Sequence, residues 1–581
     1  MMSPSRLALM RRIQGLREVA KRHRCSASHT AGTILREWCT IDYCFLRNPS
    51  LPYSRSLATE PKVVAFVKIL RQLTFLEATY WLSSVYAMLA DASYRKKVAM
   101  FFTPASLTKG LLDDLGRQGV DFRTKSFIDP ACGGAAFLAP IALRIRTALL
   151  AEGMTPRRVL KHIEARIYGA DVDKTLCELS KHYLCMALHE EISKSGYIPS
   201  FKIHRADSLT ALTSKQGKFD VVVCNPPYRK MTAKEIQPLR AMYADVVEAQ
   251  PNLYCLFIAL CVRLLHVGGY AALVTPTSFL SGRNFGRLRK FLMRQTKIEH
   301  IGIVSDRLGV FIDVQQETAL TVLRRRAPKV ERRVRAHVSV VSGVGRYASV
   351  GSCVLPNGGS AWPIPRSVGD VVLLKSATRS KFRLSDYGYA VRIGAYVWNR
   401  DKSPKYDSIQ KARRAKAHTV MPLLWSRDIS VNGTVRLGCA DLADKTPRFI
   451  DLGRRSHSAV VKSRCVVMQR VTSNDQPRRL VAAVVSPTVF ATYGGFVGEN
   501  HVVIVEQKSD NPVLRPSILA KLLSAHVVDR CFKCISGATN VSVFELEQLA
   551  LPDPQALKAA LASGYSMDEA AMRSLGLPLE Y

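Results

Sequence analysis

Residues 127–138 read Phe-Ile-Asp-Pro-Ala-Cys-Gly-Gly-Ala-Ala-Phe-Leu, a short apolar strand that runs into a glycine-rich loop and then into a helix. Glycines at such a junction allow a bound ligand to approach the main chain closely, as in dinucleotide-binding folds. A plain turn between a strand and a helix would contain glycines as well. The choice between a turn and a ligand site therefore depends on the sequence that follows.

Short apolar runs alternate with longer helical segments on both sides of this loop. Strands that alternate with helices are typical of a mostly parallel, doubly wound sheet, so we predict an α/β fold. The predicted strands are Ser126–Ile128, Ile167–Ala170, Phe201–His204, Phe219–Cys224, Tyr270–Val274 and Ile298–Val304.

Three successive predicted strands are followed by an acidic residue: Asp129, Asp171 and Asp207. A single Asp at a strand end is more often the N-cap of the next helix than a ligand. In an open parallel sheet, however, ligands bind at the carboxyl ends of the strands, and an acid after the second strand commonly holds ribose hydroxyls. Three acids in succession favour a nucleoside site.

The fourth strand delivers Asn225-Pro226-Pro227-Tyr228 to the same edge of the sheet. The prolines stiffen the loop because proline has a fixed φ and no N–H. The amide oxygen of Asn225 and the carbonyl oxygen of Pro226 can then accept both hydrogens of an exocyclic amine. The ring of Tyr228 offers a stacking face for a base.

The chain divides into three predicted parts. A helical N-terminal extension covers residues 1–99, because apolar side chains recur at helical spacing from Val63 to Ala99. The α/β domain covers residues 100–329, with its sheet complete by Leu323. The arginine-rich, proline-containing segment Arg324–Arg335 is a candidate linker. Residues 330–581 contain short β-like runs broken by Gly, Pro and Asn, which predict a β-rich α+β domain.

Lys and Arg total 84 against 46 Asp and Glu, a formal charge of +38, which indicates a polyanionic partner. Nucleic acid is favoured, because neutralised phosphates release counterions. A membrane is disfavoured, because the longest apolar run, Leu253–Val262, is shorter than the ~20 residues of a spanning helix. The basic N-terminal stretch lacks the apolar core of a signal peptide, so we expect a cytoplasmic protein. Scattered cysteines, with Cys531 and Cys534 as the single C-x-x-C pair, predict no metal site.

With these motifs, the sequence resembles the N6-adenine DNA methyltransferases of restriction-modification systems, in the group with cofactor motifs first and a C-terminal target-recognition domain. The resemblance extends from about Tyr80 to Pro554. It implies a Rossmann-like sheet, S-adenosyl-L-methionine as cofactor, double-stranded DNA as substrate, and direct methyl transfer to N6 of a flipped-out adenine.

The resemblance also implies roles for individual residues. Phe101-Phe102-Thr103-Pro104 is similar to the element that touches the methionine end of the cofactor, and the loop from Asp129 through Ala131 to Gly133 is similar to the methionine-binding loop. Asp171 matches the ribose-binding acid and Asp207 the residue that contacts the cofactor adenine. The expected cofactor-binding residues are Thr103, Asp129, Ala131, Gly133, Asp171, Asp207 and Asn225.

Asn225, Pro226 and Tyr228 match the catalytic loop of the family, and Phe285 matches the aromatic residue that contacts the flipped base. One position departs from the pattern. Ala135 stands where the family usually has glycine, so we expect reduced cofactor affinity if the main chain there needs a positive φ.

Five C-terminal segments are similar to target-recognition domains, with aromatic, amide and arginine side chains that suit base edges and phosphates. Trp398 could equally be a core residue, and each arginine could be a solvated surface charge. The segments are Gly394–Lys402, Met468–Arg470, Pro477–Arg479, Gly498–His501 and Ser536–Ser542.

Other functions compete with this interpretation. The same loop could serve methylation of RNA or of a protein glutamine, although neither needs a basic domain of this size after the sheet. A DNA-binding module with a degenerate cofactor site is suggested by Ala135 alone. Related enzymes that methylate cytosine N4 usually have Ser or Asp in place of Asn225. Because the chain shows no nuclease motif, we expect a separate cognate restriction endonuclease or a solitary methyltransferase.

Overall fold

The computed structural model describes residues 6–43, 46, 49–304, 317–329, 333–438, 446–453, 458–472 and 476–578. None of the helices in these ranges is both long and apolar enough to cross a membrane. The chain forms two compact units. The first comprises Met1–Phe279, Asn284–Ser349 and Asn357–Gly359, and the second comprises Leu280–Arg283, Val350–Pro356 and Ser360–Tyr581.

Helices precede the sheet, as predicted for the N-terminal extension. The periodic run from Val63 to Ala99 is not one helix, however. Thr74 and Glu77 form a capping box that starts a new helix, and Asp91 caps another. The helices are α1 (Arg6–Arg22), α2 (Ala27–Asp42), α3 (Arg55–Ala58), α4 (Pro61–Gln72), α5 (Phe75–Leu89) and α6 (Ala92–Val98).

A nine-stranded sheet follows, in the order β3-β2-β1-β4-β5-β7-β6-β8-β9. The five strands from β3 to β5 run parallel, whereas β7 lies antiparallel between β5 and β6. The predicted doubly wound, mostly parallel arrangement is therefore confirmed. The strands are β1 (Phe127–Asp129), β2 (Ile167–Asp171), β3 (Lys202–Arg205), β4 (Phe219–Cys224), β5 (Leu265–Pro276), β6 (Thr296–Val304), β7 (Thr318–Arg325), β8 (Arg333–Val341) and β9 (Tyr347–Pro356).

Further helices accompany these strands, and one hydrophobic core joins those between residues 105 and 195 with the sheet and the N-terminal helices. The apolar run Leu253–Val262 is a buried helix packed on β4 and β5. The helices are α7 (Ala105–Arg117), α8 (Leu138–Ala151), α9 (Pro156–Arg166), α10 (Lys174–Ala187), α11 (His189–Ser195), α12 (Ser208–Ala211), α13 (Ala233–Ile236), α14 (Leu253–Leu264), α15 (Ser278–Ser281) and α16 (Gly286–Gln295).

The sheet does not end at Leu323, so that expectation is wrong. Strand β8 pairs in parallel with β6, beyond the predicted linker. Arg325 donates from its guanidinium to the carbonyl oxygen of Val262 at 2.6 Å, and Arg326 donates to that of Met293 at 2.6 Å. Cations stabilise the negative end of a helix dipole, so these arginines cap α14 and α16.

The second unit contains two further sheets, in the orders β10-β18-β15-β16 and β11-β13-β12-β17-β14, together with helices. This is the α+β composition predicted for the C-terminal part. Its strands are β10 (Tyr389–Ile393), β11 (Lys405–Tyr406), β12 (Val420–Leu424), β13 (Phe449–Asp451), β14 (Val460–Val461), β15 (Cys465–Gln469), β16 (Ala482–Val484), β17 (Phe496–Gly498) and β18 (Val502–Gln507). Its helices are α17 (Val368–Ala377), α18 (Ile409–Arg414), α19 (Pro487–Tyr493), α20 (Pro516–Leu523), α21 (His526–Ile535), α22 (Val543–Gln548), α23 (Pro554–Ala562) and α24 (Met567–Ser574).

Candidate active site

A cavity of about 480 Å³ lies at the carboxyl ends of β1, β2, β3 and β4. Its volume is in the range of about 300–1,000 Å³ that is usual for small-molecule sites. The structure brings together on its wall all the residues for which the sequence predicted cofactor contacts. They are Thr103, Asp129, Ala131, Gly133, Asp171, Asp207 and Asn225.

The glycine-rich loop after β1 is held in place by its own main-chain donors. The N–H of Ala131 donates to Asp129 Oδ1 at 3.0 Å, and the N–H of Gly133 donates to Asp171 Oδ2 at 3.0 Å. Gly133 has a φ of +49° and Ala135 a φ of +55°. The left-handed conformation foreseen at position 135 is therefore present, and it is occupied by a residue that adopts it less readily than glycine.

Two acids of the cavity sit in a low-dielectric environment. Asp129 is only 1% exposed, and burial raises its pKa to about 8. Burial also raises the pKa of Asp171, to about 6, although main-chain N–H groups of Asp173 and Gly133 oppose the shift. A buried carboxyl group without a cation gains from a ligand that donates hydrogen bonds or carries positive charge. The two acids thus suit hydroxyl and ammonium groups.

Asp207 is a helix N-cap that also faces the cavity. It caps α12 by accepting the N–H of Leu209 at 3.1 Å, and it also lines the cavity. A structural role as an N-cap and a role in ligand binding therefore do not exclude each other at this position.

Thr103 supplies an independent indication of a ligand. Its hydroxyl is buried on the cavity wall and has no hydrogen-bond partner within the described part of the chain. An unpaired buried polar atom costs about 1–3 kcal/mol. A polar ligand in the cavity would remove that cost.

The loop after β4 fixes one side-chain amide. Asn225 donates from Nδ2 to the carbonyl oxygen of Phe101 at 3.1 Å, and its Oδ1 lies 2.5 Å from the Tyr228 hydroxyl. That hydroxyl also lies 2.7 Å from the carbonyl oxygen of Val274. Asn225 and Pro227 reach the cavity wall, whereas Pro226 and Tyr228 are not among the lining residues. The Asn225 amide is thus oriented by Phe101 and by Tyr228, which is outside the cavity lining.

An aromatic cluster links the two residues expected to contact a base. Tyr254 packs edge-on against Tyr228 with ring centroids 6.0 Å apart, and it stacks on Phe285 at 5.2 Å. Phe101 lies nearly parallel to Tyr228 on another side. Sequence reasoning missed Tyr254, because it stands in the apolar run of α14. Its position two residues after the N-cap Asn252 was the signal available.

A family model described as N-6 DNA Methylase matches residues 81–343, a range that contains the cavity and the loop after β4. Residues 81–343 thus form an N-6 DNA methylase domain. The resemblance drawn from the motifs, and the methyltransferase class that it implies, are thereby confirmed.

The chain is similar to curated type II methyltransferases. It is 24% identical over 355 residues to M.BsuBI of Bacillus subtilis, a match that covers 60% of this chain and 68% of the relative. It is 23% identical to M.PstI of Providencia stuartii, with 59% and 66% covered. The chain spans 44% of a third relative, M.VspI of Vibrio sp. (strain 343), at 25% identity over 36% of this chain.

The fold of the chain is also similar to a solved structure, the type IIL restriction-modification enzyme MmeI in complex with DNA. The match has a TM-score of 0.54 and 12% identity, and it covers 97% of this chain and 90% of the other. At that identity the comparison supports the fold. The architecture of an α/β sheet followed by a C-terminal α+β part is therefore shared.

In the second unit, the side chains expected at DNA separate into two groups. Arg479 is completely buried and donates to the carbonyl oxygen of Ala538 at 2.6 Å, so it supports a loop. Glu499 is buried as well and accepts the N–H of His501 at 2.8 Å. Trp398 is 58% exposed, which excludes the core interpretation in this structure.

Proposed function

We propose that this chain is a site-specific DNA methyltransferase that transfers a methyl group from S-adenosyl-L-methionine to N6 of a flipped-out adenine in double-stranded DNA. One observation supports the proposal above the others. Asn225, at the end of β4, shares a cavity with the acids at the ends of β1, β2 and β3. The Asn225 amide, which can accept hydrogen bonds from an amine, thus lies beside three acids. These acids suit a nucleoside that carries a positively charged amino-acid group.

The cofactor would be held by side chains and main chain of the first unit. When bound, S-adenosyl-L-methionine supplies an electrophilic methyl group. The carboxylate of Asp171 would accept hydrogen bonds from the ribose hydroxyls. The carboxylate of Asp207 would accept a hydrogen bond from the amine of the cofactor adenine. Asp129 and Thr103 bind the methionine end, with the loop from Ala131 to Gly133 against it. These roles use the raised pKa of the two buried acids and the unpaired Thr103 hydroxyl.

The target amine would be held by the loop after β4. Asn225 Oδ1 and the carbonyl oxygen of Pro226 accept the two N–H groups and orient the nitrogen lone pair toward the methyl donor. The hydroxyl of Tyr228 and the carbonyl of Phe101 fix the Asn225 amide beforehand. Fixed dipoles and positioning accelerate such a transfer without a strong base. Tyr228 and Phe285 would stack on the base, which offsets part of the few kcal/mol that flipping costs.

DNA would be bound through the basic surface of a protein with a formal charge of +38. We assign catalysis to residues 100–329 and target recognition to residues 330–581, with the exposed Trp398 as a candidate base contact. Strand β8 belongs structurally to the catalytic sheet. A separate cognate restriction endonuclease is the proposed partner, in line with the type II relatives.

The proposal is tested by mass spectrometry of digested DNA after incubation with the full-length protein and S-adenosyl-L-methionine. We expect N6-methyladenine from the wild type and at least about a hundredfold less from Asn225→Ala, because a positioned polar group of this kind contributes about 10²–10³ in rate. Gln216→Ala, which removes an exposed side-chain amide ahead of the amino end of β4, is the matched control and should retain wild-type activity.

Isothermal titration should show that Asn225→Ala still binds the cofactor, so that the loss of turnover is not a loss of the methyl donor. Exclusive N4-methylcytosine, or methylation of RNA or protein in place of DNA, would contradict the proposed substrate. Near-normal turnover of Asn225→Ala would contradict the role of the amide.

A further inference from the structure

Helix α6 forms part of the wall of the cofactor cavity but is weakly anchored. Tyr94, Lys97 and Val98 line that cavity, followed by Ala99 and Met100. None of the seven side chains of α6 is buried. Among the side chains of α6, Val98 is the one that packs, partly buried, against the hydrophobic core, so the helix lines the cavity with little apolar anchoring.

A second cavity lies on another side of the same helix. It has a volume of about 210 Å³ and is lined by Arg95 and Lys96 of α6 and by Tyr80 and Met88 of α5, among others. Segments with few buried apolar contacts open at low free energy compared with the rest of a fold. Helix α6, with open space on two sides, has both the weak packing and the room that such a movement needs.

One hydrogen bond ties α6 to the cofactor site. The hydroxyl of Tyr94 donates to Asp173 Oδ2 at 2.9 Å. The N–H of Asp173 in turn donates to Asp171 Oδ1 at 2.9 Å, and Asp171 is the acid assigned to the ribose. Burial and the hydrogen bond to Asp173 raise the pKa of Tyr94 to about 12, so the phenol keeps its proton at neutral pH.

The carboxyl end of α6 leads directly into the active site. Ala99 ends the helix with a left-handed φ of +51°. Phe101 and Thr103 follow, and the carbonyl oxygen of Phe101 accepts the Asn225 amide at 3.1 Å. A movement of α6 about Ala99 would thus uncover the cofactor while the segment that orients Asn225 stays in place.

We propose that α6 is a lid over the cofactor cavity and that the hydrogen bond from Tyr94 to Asp173 is its latch. The inference rests on the proposed function, which supplies the ligand. The closed lid retains the methyl donor while DNA binds and the base is placed, and the open lid exchanges the demethylated product for a new donor. Tyr94 is a positioning residue in this scheme.

The structure offers a matched control, because two tyrosines donate to the same oxygen. Tyr86 of α5 also donates to Asp173 Oδ2, at 2.7 Å, but it is buried and is not among the residues that line the cavity. Tyr94→Phe and Tyr86→Phe each remove one hydrogen bond to Asp173 and keep the ring. Only the first variant loosens the lid.

The experiment measures dissociation of radiolabelled S-adenosyl-L-methionine from the full-length protein after an unlabelled chase. We expect Tyr94→Phe to release the cofactor about tenfold faster, the effect of one hydrogen bond to a charged group. Tyr86→Phe should remain within about twofold of the wild type and show a lower Tm, because it removes a buried hydrogen bond to a carboxylate. Equal acceleration in both variants, or none in Tyr94→Phe, would overturn the lid.

Amide hydrogen exchange over residues 92–99 gives a second measurement. We expect fast exchange in the free protein, slower exchange with cofactor bound, and fast exchange again in cofactor-loaded Tyr94→Phe. Strong protection without cofactor would show a rigid wall and overturn the inference. Isothermal titration of the wild type separates the two proposals: absence of binding would refute the cofactor assignment, whereas binding without any change in Tyr94→Phe would refute the lid alone.

Discussion

The loops after β1 and β4 end at the same cavity but are built in different ways. The first presents main chain, held by N–H groups that donate to Asp129 and Asp171 and by left-handed residues. The second presents one side chain, the Asn225 amide, stiffened by prolines and fixed by Phe101 and Tyr228. The function of the first loop therefore depends on free space beside its main chain. The function of the second loop depends on the orientation of the Asn225 amide. Substitutions should separate cofactor affinity from turnover accordingly.

Gly134→Ala should have the largest effect on the first loop. A β-carbon at this position would lie 2.0 Å from Ser83 Oγ and 3.0 Å from Ser83 Cβ, so the loop or α5 must move. Overpacking of this kind costs about 1–3 kcal/mol, and we expect a lower Tm and roughly ten- to hundredfold weaker cofactor binding. Calorimetry and isothermal titration measure both. Gly116→Ala in α7, where the methyl would meet open space, is the control. Wild-type affinity in Gly134→Ala would contradict the spatial restriction.

Tyr228→Phe should affect the second loop and leave the first unchanged. It removes the hydroxyl that lies 2.5 Å from Asn225 Oδ1 and 2.7 Å from the Val274 carbonyl oxygen, but keeps the ring. We expect kcat to fall about fivefold at unchanged cofactor affinity, because the lost hydrogen bond contributes about 1 kcal/mol to the orientation of the amide. Tyr270→Phe, which loses a hydrogen bond to Gln118, serves as the control in steady-state kinetics. A matching loss of cofactor binding would show that the two loops are not separable.

Asp129→Asn should change the pH dependence of stability. Burial raises the pKa of Asp129 to about 8 from an ordinary 3.8, so the folded protein binds a proton that the unfolded chain releases. The free energy of unfolding therefore falls as pH rises from about 4 to about 8. Asn retains an acceptor for the Ala131 N–H and does not titrate. The Tm of the variant minus that of the wild type should increase over this range and level off above it.

Asp220→Asn is the comparison for that measurement, because the pKa of Asp220 is shifted in the opposite direction to that of Asp129. Burial favours the neutral form of Asp220, but hydrogen bonds from His266, Ser126 and Lys125 outweigh burial and hold its pKa well below the usual range. Its carboxylate stabilises the fold throughout pH 5–8, and the variant should be less stable at every pH tested. If the Tm difference between Asp129→Asn and the wild type did not change with pH, Asp129 would not be a buried acid that is protonated in the folded protein.

Ala135→Gly should give the smallest effect. A left-handed conformation costs a non-glycine residue about 1–2 kcal/mol. The gain from glycine is offset by about 0.4–1 kcal/mol of additional freedom in the unfolded chain. We expect a slightly higher Tm and up to about threefold tighter cofactor binding, measured by calorimetry and titration. Weaker binding in the variant would show that the Ala135 methyl group supports the loop and that the departure from the family pattern is not a defect.

The sequence allowed prediction of features that depend on local pattern and sheet geometry. Carboxyl ends of parallel strands meet at one edge, so Asp129, Asp171 and Asn225 could be placed together without coordinates. The unbroken helical periodicity before residue 99 concealed two helix starts, because apolar spacing continues across the caps at Thr74 and Asp91. The ring contacts of Tyr254 and the hydrogen bond from Tyr94 to Asp173 join distant segments of the chain, which periodicity does not encode.

The helices before residue 100 contribute more than a covering layer. Ser83 of α5 limits the space beside Gly134, Tyr86 of the same helix donates to Asp173, and α1, α2 and α4 share one core with the sheet. For protein engineering this sets a rule for chimaeras. An exchange of catalytic parts between related enzymes at residue 100 would pair one parent's glycine loop with the other parent's α5. Crossovers should instead keep residues 6–99 and the sheet from the same parent.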